Sequence, residues 1–254
     1  MNFSALILNE TKLQFYEMKQ YWFETVSSLV VMCGMFIGLF YGVKSFTHDA
    51  GSETSLDGMV FGFLMWLFAT TAYNAVTKSL IEDNQKGFIE QLFLCPMGFT
   101  RLMLARSLVE MFSGVIYVTV MIWLTMALTD NWLTLNFLYL YSLLFVAGLS
   151  LVGLGFVISG LALIYKRVGT IGALFNIGFM GLVAVDALPF NAYSLLPFTA
   201  GASLAREVIL QGEPLNLVHL GVVIVNSLVY LLAGLAIFNK LEKRAKKLNL
   251  ISQY

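Results

Sequence analysis

Long apolar runs separated by short polar breaks dominate this chain. The candidate crossings are Trp22–Val43, Gly58–Leu80, Leu102–Leu128, Leu135–Tyr165, Val168–Val185 and Leu215–Phe238. A helix needs about 20 predominantly apolar residues to cross a hydrocarbon core of roughly 30 Å. Trp22 and Tyr41 stand near the two ends of the first run, as interfacial aromatics do. Ahead of it, residues 1–21 interleave Phe3, Leu6, Ile7, Leu8, Leu13, Phe15, Tyr16 and Met18 with Glu10, Lys12, Glu17 and Lys19. That mixture predicts an N-terminal helix lying in the membrane interface. Leu188–Leu210 is apolar enough to suggest a seventh crossing, but Pro189, Pro197 and Gly201 cut it into pieces too short to span. The segment 188–212 is therefore predicted to form short re-entrant outer helices between spans five and six, their backbone buried in protein. The expected fold is an all-α integral membrane protein with six transmembrane helices, one domain over residues 1–254.

One polar break is more elaborate than a turn. Ile81–Glu110 reads IEDNQKGFIEQLFLCPMGFTRLMLARSLVE, with Glu82, Asp83, Lys86, Glu90, Arg101 and Arg106 between two apolar runs. Gln85–Leu94 is helix-friendly and ends at Pro96. A charged, Pro-terminated connector over 82–97 predicts a helical surface built to touch another protein. The remaining breaks are plainer: a polar, net acidic loop at Lys44–Asp57, a short loop at Thr129–Thr134, and the Lys166–Arg167 turn. Asn74 and Thr77 are expected to begin the turn of the second span toward water.

Composition agrees with the pattern. Of 254 residues 59% are hydrophobic and 12% charged, where soluble domains carry about 25% charged residues. Net charge is zero, so no basic field points to nucleic acid, but the distribution of charge is informative. The N-terminal segment, the connector with Lys78 just ahead of it, the Lys166–Arg167 turn and the tail Asn239–Tyr254 hold 13 of the 15 Lys and Arg; Lys44 and Arg206 lie on the other side. Positive loops stay in the cytoplasm, so both termini and the connector are expected there.

Little in the chain suggests chemistry. Cys33 falls in mid-span and Cys95 in the connector, which argues against a disulfide. His48 and His219 are isolated, and no metal or catalytic residues are predicted. No signal peptide is read at the N-terminus, and no G-x-x-x-x-G-K-[ST] loop is present to hold a nucleotide. Gly34, Gly38 and Gly42 recur at spacing four, which predicts a packing seam with a neighbouring span or with a second copy of the chain. Gly148, Gly153, Gly155, Ser159 and Gly160 predict tight packing of the fourth span. Glu110 lies about two turns inside the third span, where an ionised carboxylate is costly. Arg106, four residues earlier, is a possible structural partner, and a role of Glu110 in transport is the alternative.

With these residues in view, the chain resembles the permeases of type-two ATP-binding-cassette (ABC) exporters. The order Glu82, Gly87, Glu90, Leu92, Pro96, followed by Arg101 and Arg106, is similar to that family's cytoplasmic signature. Pro197, Arg206 and Leu210-Gln211-Gly212 resemble its outer helix pair after the fifth span. Departures are Asp83, Gly87-Phe88 and Ala105-Arg106 in place of an Arg, a Gly-Thr pair and a Gly-Lys. The resemblance implies a coupling helix in which Glu82, Gln85, Gly87, Phe88, Glu90, Gln91, Leu94, Pro96 and Arg101 meet an ABC ATPase. It implies an outer gate at Pro189, Pro197 and Arg206, and a complex of two permease copies with two ATPase copies. It places the complex in the bacterial cytoplasmic membrane, with ATP and magnesium bound by the partner and no cofactor by this chain. Spans one and five would line the seam between copies, which suits the Gly34, Gly38 and Gly42 face of the first and Gly169, Gly172, Gly178 and Gly181 of the fifth.

The expected function is then ATP-driven export of a hydrophobic or amphipathic substrate: a lipid, drug, peptide or lipid-linked glycan. The alternatives are an ion-coupled transporter, a non-transporting membrane scaffold, or a membrane-embedded enzyme acting on lipid. Ion coupling calls for midplane ionisable residues or broken spans in both halves, and neither is read here. A lipid enzyme needs convergent acids or bases, and Glu110 and Asp186 lie near opposite faces. Abundant Phe, Met and Tyr suit an apolar cargo, although such residues fill any membrane bundle.

Overall fold

The computed structural model describes residues 3–46, 53–85, 87–129, 132, 136–165 and 168–248. The described residues form nine α-helices and one 3-10 turn. The N-terminal helix α1 is Phe3–Gln20, and α2 (Trp22–Phe46), α3 (Glu53–Gln85), α5 (Phe99–Thr129) and α6 (Phe137–Ala162) are long and apolar. Between α3 and α5 stands the five-residue α4 (Ile89–Phe93). The second half holds α7 (Gly169–Ala184), α8 (Thr199–Ile209) and α9 (Leu217–Lys247). Five helices, α2, α3, α5, α6 and α9, are long and apolar enough to cross a membrane. The apolar α7 has 16 residues, about 24 Å at 1.5 Å per residue. It packs beside α3, with the Tyr73 ring against Phe175 and Phe179, and the Trp66 indole donating to the Asn176 carbonyl at 2.9 Å.

Glycines set the closest approaches. A Cβ on Gly153 of α6 would fall on the Tyr230 carbonyl of α9, and one on Gly234 would fall on the Gly153 carbonyl. On the other side of α6, a Cβ on Gly155 would sit 2.9 Å from the Tyr73 carbonyl of α3. The predicted tight packing of the fourth span is thus present: α6 is the central helix, gripped backbone to backbone by α3 and α9. Phe68, Tyr73, Leu151, Val152, Phe156 and Phe238 fill the core around it.

Several boundaries differ from expectation. The second span does not turn outward at Asn74; α3 continues through Thr77, which is buried and bonds back to the Tyr73 carbonyl at 3.1 Å, and on through Glu82 and Asp83. The helix expected over Gln85–Leu94 is reduced to Ile89–Phe93, because Gly87 takes a φ of 74° that right-handed helix cannot accommodate. Arg101 belongs to the first turn of α5 rather than to the connector. The outer segment forms one 3-10 turn, Ala192–Leu195, and the single α-helix α8, not two short helices. The sixth apolar run and the basic tail form one helix, since α9 has no break at Asn239. Gly34 and Gly38 are exposed, with nothing within 4 Å of a Cβ at either, so the half of the seam prediction that invoked a neighbouring span fails. The buried face of α2 carries Cys33, Phe36 and Phe40 instead. The surroundings of Gly42, the side chain of Gln85, most of the Lys44–Asp57 and Thr129–Thr134 loops, and the Lys166–Arg167 turn lie outside the described residues.

Candidate functional site: the connector and the outer clasp

The connector begins where α3 ends. The Phe88 amide donates to the Asp83 carbonyl at 2.9 Å, folding the chain back at Gly87. Gly98, with φ of 87°, makes the second sharp turn before α5. The short helix α4 thus hangs between two glycine corners. Ile89 is its buried anchor. The outward residues are Gly87, Phe88, Glu90, Gln91, Leu94 and Pro96, and two of them are large and apolar: Phe88 at 48% exposure and Leu94 at 83%. Arg101 is exposed beside them, and Glu82 is half-buried and pairs with Lys78 at 3.7 Å.

Behind this exposed face lies a chain of aromatic rings. Phe93 of α4 packs on Phe99 of α5 with centroids 4.2 Å apart, Phe99 stacks on Phe238 of α9 at 5.8 Å, and Phe238 meets Phe156 of α6 at 5.2 Å. Close-packed interiors transmit displacement rather than absorb it. A push on α4 therefore reaches α5, α9 and the central helix α6. Polar contacts run parallel to the rings. The Thr100 hydroxyl donates to Glu242 Oε2 at 2.8 Å, Lys246 pairs with Glu242 Oε1 at 2.7 Å, and the Lys246 ammonium sits 4.7 Å from the Phe93 ring centroid. Glu242 is 8% exposed, and this pairing satisfies its charge.

A second charged cluster joins three helices. Arg106 of α5 pairs with Glu10 of α1 at 3.1 Å and with Asp83 of α3, and all three side chains are less than one-fifth exposed. The expected Arg106–Glu110 pair is replaced by these contacts; Glu110 is half-buried and has no hydrogen bond or ion pair among the described residues. Leu6 of α1 is buried against Leu102 and Ala105. The N-terminal helix is therefore bolted to the connector end of the bundle by one apolar and one ionic contact. Sequence reading missed Glu10 and the role of Asp83. The signal was a carboxylate near the middle of a predicted interfacial helix, with nothing to say which cation it met.

At the opposite end, Pro189, Pro197 and Arg206 belong to one structure. Leu188–Pro189 is a cis peptide, Pro189 is exposed, and Pro197 is buried. Arg206 of α8 reaches back to Asp186 and to the Val183 carbonyl at the end of α7. Phe198 begins α8 with φ of 70° and a fully buried ring. A non-glycine residue holds that conformation only where its surroundings over-determine it. Gly201 packs on Ala147 of α6. Asn226 of α9 turns its Nδ2 toward the carbonyls of Ser194 (3.0 Å) and Leu195 (3.2 Å), and the Tyr230 hydroxyl donates to Leu195 at 3.0 Å. These two residues, which tie the 3-10 turn to α9, were not anticipated from the sequence. His219 lies 3.4 Å from Glu207, and the described residues hold no cluster of three metal-ligating side chains.

No curated protein matches the chain. A family-level sequence match described as ABC-2 family transporter protein covers residues 39–238, from the end of α2 to the aromatic stack in α9. That range includes the connector, the central helix and the outer clasp, and the apolar helices around them make a multi-pass membrane protein. The chain belongs to the ABC-2 family of transporter proteins, as a membrane permease subunit of an ABC transporter.

Proposed function

We propose that this chain is the membrane-spanning half of an ATP-driven exporter, moving a hydrophobic or amphipathic substrate outward across a bacterial cytoplasmic membrane. In this reading α7 also crosses, as the fifth of six spans in chain order, lengthened by the extended backbone at Val185. The connector end, with α1 and the basic end of α9, faces the cytoplasm, and the α8 end faces out. Two copies of the chain associate with two ABC ATPase subunits, which bind the ATP and magnesium. The observation that carries the reading is the exposed apolar pair Phe88 and Leu94 on a charged, otherwise polar end of the bundle. Large apolar side chains held in water beside Glu90 and Gln91 are suited to a groove on another protein.

The mechanism follows from the contacts. Closure of the ATPase pair on nucleotide presses on α4. The glycine corners at Gly87 and Gly98 let α4 tilt as a unit, and the Phe93–Phe99–Phe238–Phe156 stack carries the tilt into α5, α9 and α6. Two discrete packings of these helices then alternate. The second copy is best placed against α2 and α7, which leave apolar faces uncovered: Val30, Val31 and Met35 beside Gly34 and Gly38, and Ile171, Leu174, Ile177 and Met180 beside Gly178 and Gly181.

The test is a Phe88→Asp/Leu94→Asp double variant. Both side chains are outside the core, so the variant should fold with an unchanged melting temperature, lose co-purification with the ABC ATPase, and lose transport. Retention of ATPase binding and transport overturns the coupling role. Leu94→Cys, in a Cys33→Ser/Cys95→Ser background, should react with a membrane-impermeant maleimide only after permeabilisation; labelling of intact cells overturns the orientation.

A further inference from the structure

The exposed face of α9 is broad, and one strip of it runs from apolar residues into lysines, with the exposed Arg244 at its edge. Val218, Val225, Val229, Leu232, Ala236, Lys240, Lys243 and Lys247 are all exposed. At 100° per residue they lie within an arc of about 80°. The same helix face is thus apolar for five positions and lysine for the last three. The opposite face carries Phe238, Glu242 and Ala245, all buried against the connector end of the bundle. The neighbouring Lys246 is already engaged with Glu242 and the Phe93 ring and stands off the strip.

The distance of the lysines from Phe238, where the apolar run ends, suits a lipid ligand. Lys240 and Lys243 come about 3 and 8 Å beyond Phe238 along the axis. The headgroup layer of one leaflet is about 5–8 Å thick. A helix face turned toward acyl chains therefore turns its lysines toward the phosphates of the same lipids. Lys247, about 13 Å beyond Phe238, reaches back on its flexible stem. We propose that Lys240, Lys243 and Lys247 form a binding site for the headgroups of anionic phospholipids, on the face of α9 opposite the one that braces the connector. Bound lipid fixes the depth of α9, and through Phe238, Glu242 and Thr100 it fixes the rest position of α4. The site rests on the reading that this end of the bundle faces the anionic cytoplasmic leaflet.

The experiment is native mass spectrometry of the full chain released from detergent with equimolar phosphatidylglycerol and phosphatidylcholine. Surface lysines each favour anionic lipid by about fivefold. The wild-type chain should carry phosphatidylglycerol preferentially. Lys240→Gln/Lys243→Gln/Lys247→Gln should lose at least about tenfold of that preference. The corresponding triple Arg variant and Lys246→Gln, which changes charge off the strip, should keep it. Unchanged preference in the triple Gln variant overturns the site, as does an equal loss in Lys246→Gln. Loss of ATPase co-purification with lipid preference intact assigns the lysines to the partner protein and overturns it too. The preference is measured without a membrane orientation, so it is separable from the topology. Labelling of Leu248→Cys from outside intact cells would overturn the cytoplasmic placement while leaving the headgroup chemistry standing.

Discussion

The Gly153–Gly234 contact between α6 and α9 allows a sharp test of the packing. Replacing Gly153 by Ala adds one methyl group. It would lie 2.3 Å from the Tyr230 carbonyl oxygen and 2.8 Å from the Leu231 amide nitrogen. Both are backbone atoms in a helix, so no side-chain rotation relieves the clash. Overpacking by a methyl typically costs about 1–3 kcal/mol, and the rigid neighbours here put the cost at the upper end. For a chain of this size each kcal/mol moves the melting temperature by about 2–4 °C, so Gly153→Ala should lower it by roughly 6–12 °C. The measurement is thermal unfolding of the purified chain in detergent, followed by loss of the monodisperse peak in size-exclusion chromatography. Gly34→Ala and Gly38→Ala are the controls: open space surrounds both, and alanine favours helix by up to about 1 kcal/mol. They should leave the melting temperature unchanged or raised. A Gly153→Ala chain as stable as the wild type, or a Gly34→Ala chain less stable at concentrations where it is monomeric, would refute the assignment of the seam to α6 and α9.

Other substitutions separate the remaining contacts. Arg106→Ala leaves Glu10 and Asp83 without their cation in a largely buried setting, and should cost about 3–5 kcal/mol in denaturant or thermal unfolding, whereas Glu10→Gln should cost distinctly less. Arg206→Ala removes an ion pair whose Asp186 partner is 78% exposed, so global stability should change by less than about 1 kcal/mol; faster hydrogen exchange at 183–187 would report the undocked clasp. Asn226→Leu should free the 3-10 turn at Ala192–Leu195 and raise its proteolytic sensitivity while the helix around it persists. Lys246→Ala should lower coupling between ATP hydrolysis and transport with ATPase binding retained, because it unpairs Glu242 behind α4; unchanged coupling would exclude the α9 brace.

The hydrophobic pattern alone determined that this is a helical membrane chain, where its long helices lie, and that the break at 82–97 is unlike the others. Membrane crossing is a matter of length and polarity, and both are local properties of sequence. Gly148, Gly153, Gly155 and Gly160 were legible as packing positions for the same reason. Which glycines actually meet was not legible. Gly34 and Gly38 have the same spacing logic as Gly153, but face open space, because a spacing rule names a helix face and not its neighbour. The pairing of Arg106 with Glu10 and Asp83 in place of Glu110 has the same origin: charges 96 and 23 residues away in sequence outcompete one a single helical turn away. The connector was readable from its charge and its proline, and its outward residues Phe88 and Leu94 only through the family resemblance, while its true length depended on the left-handed backbone at Gly87. Only the tertiary structure decided that the basic tail is a continuation of α9, that Phe93, Phe99, Phe238 and Phe156 form one stack, and that Asn226 holds the outer turn. Each depends on contacts between residues distant in the chain, and long-range contact is the one quantity that periodicity does not encode.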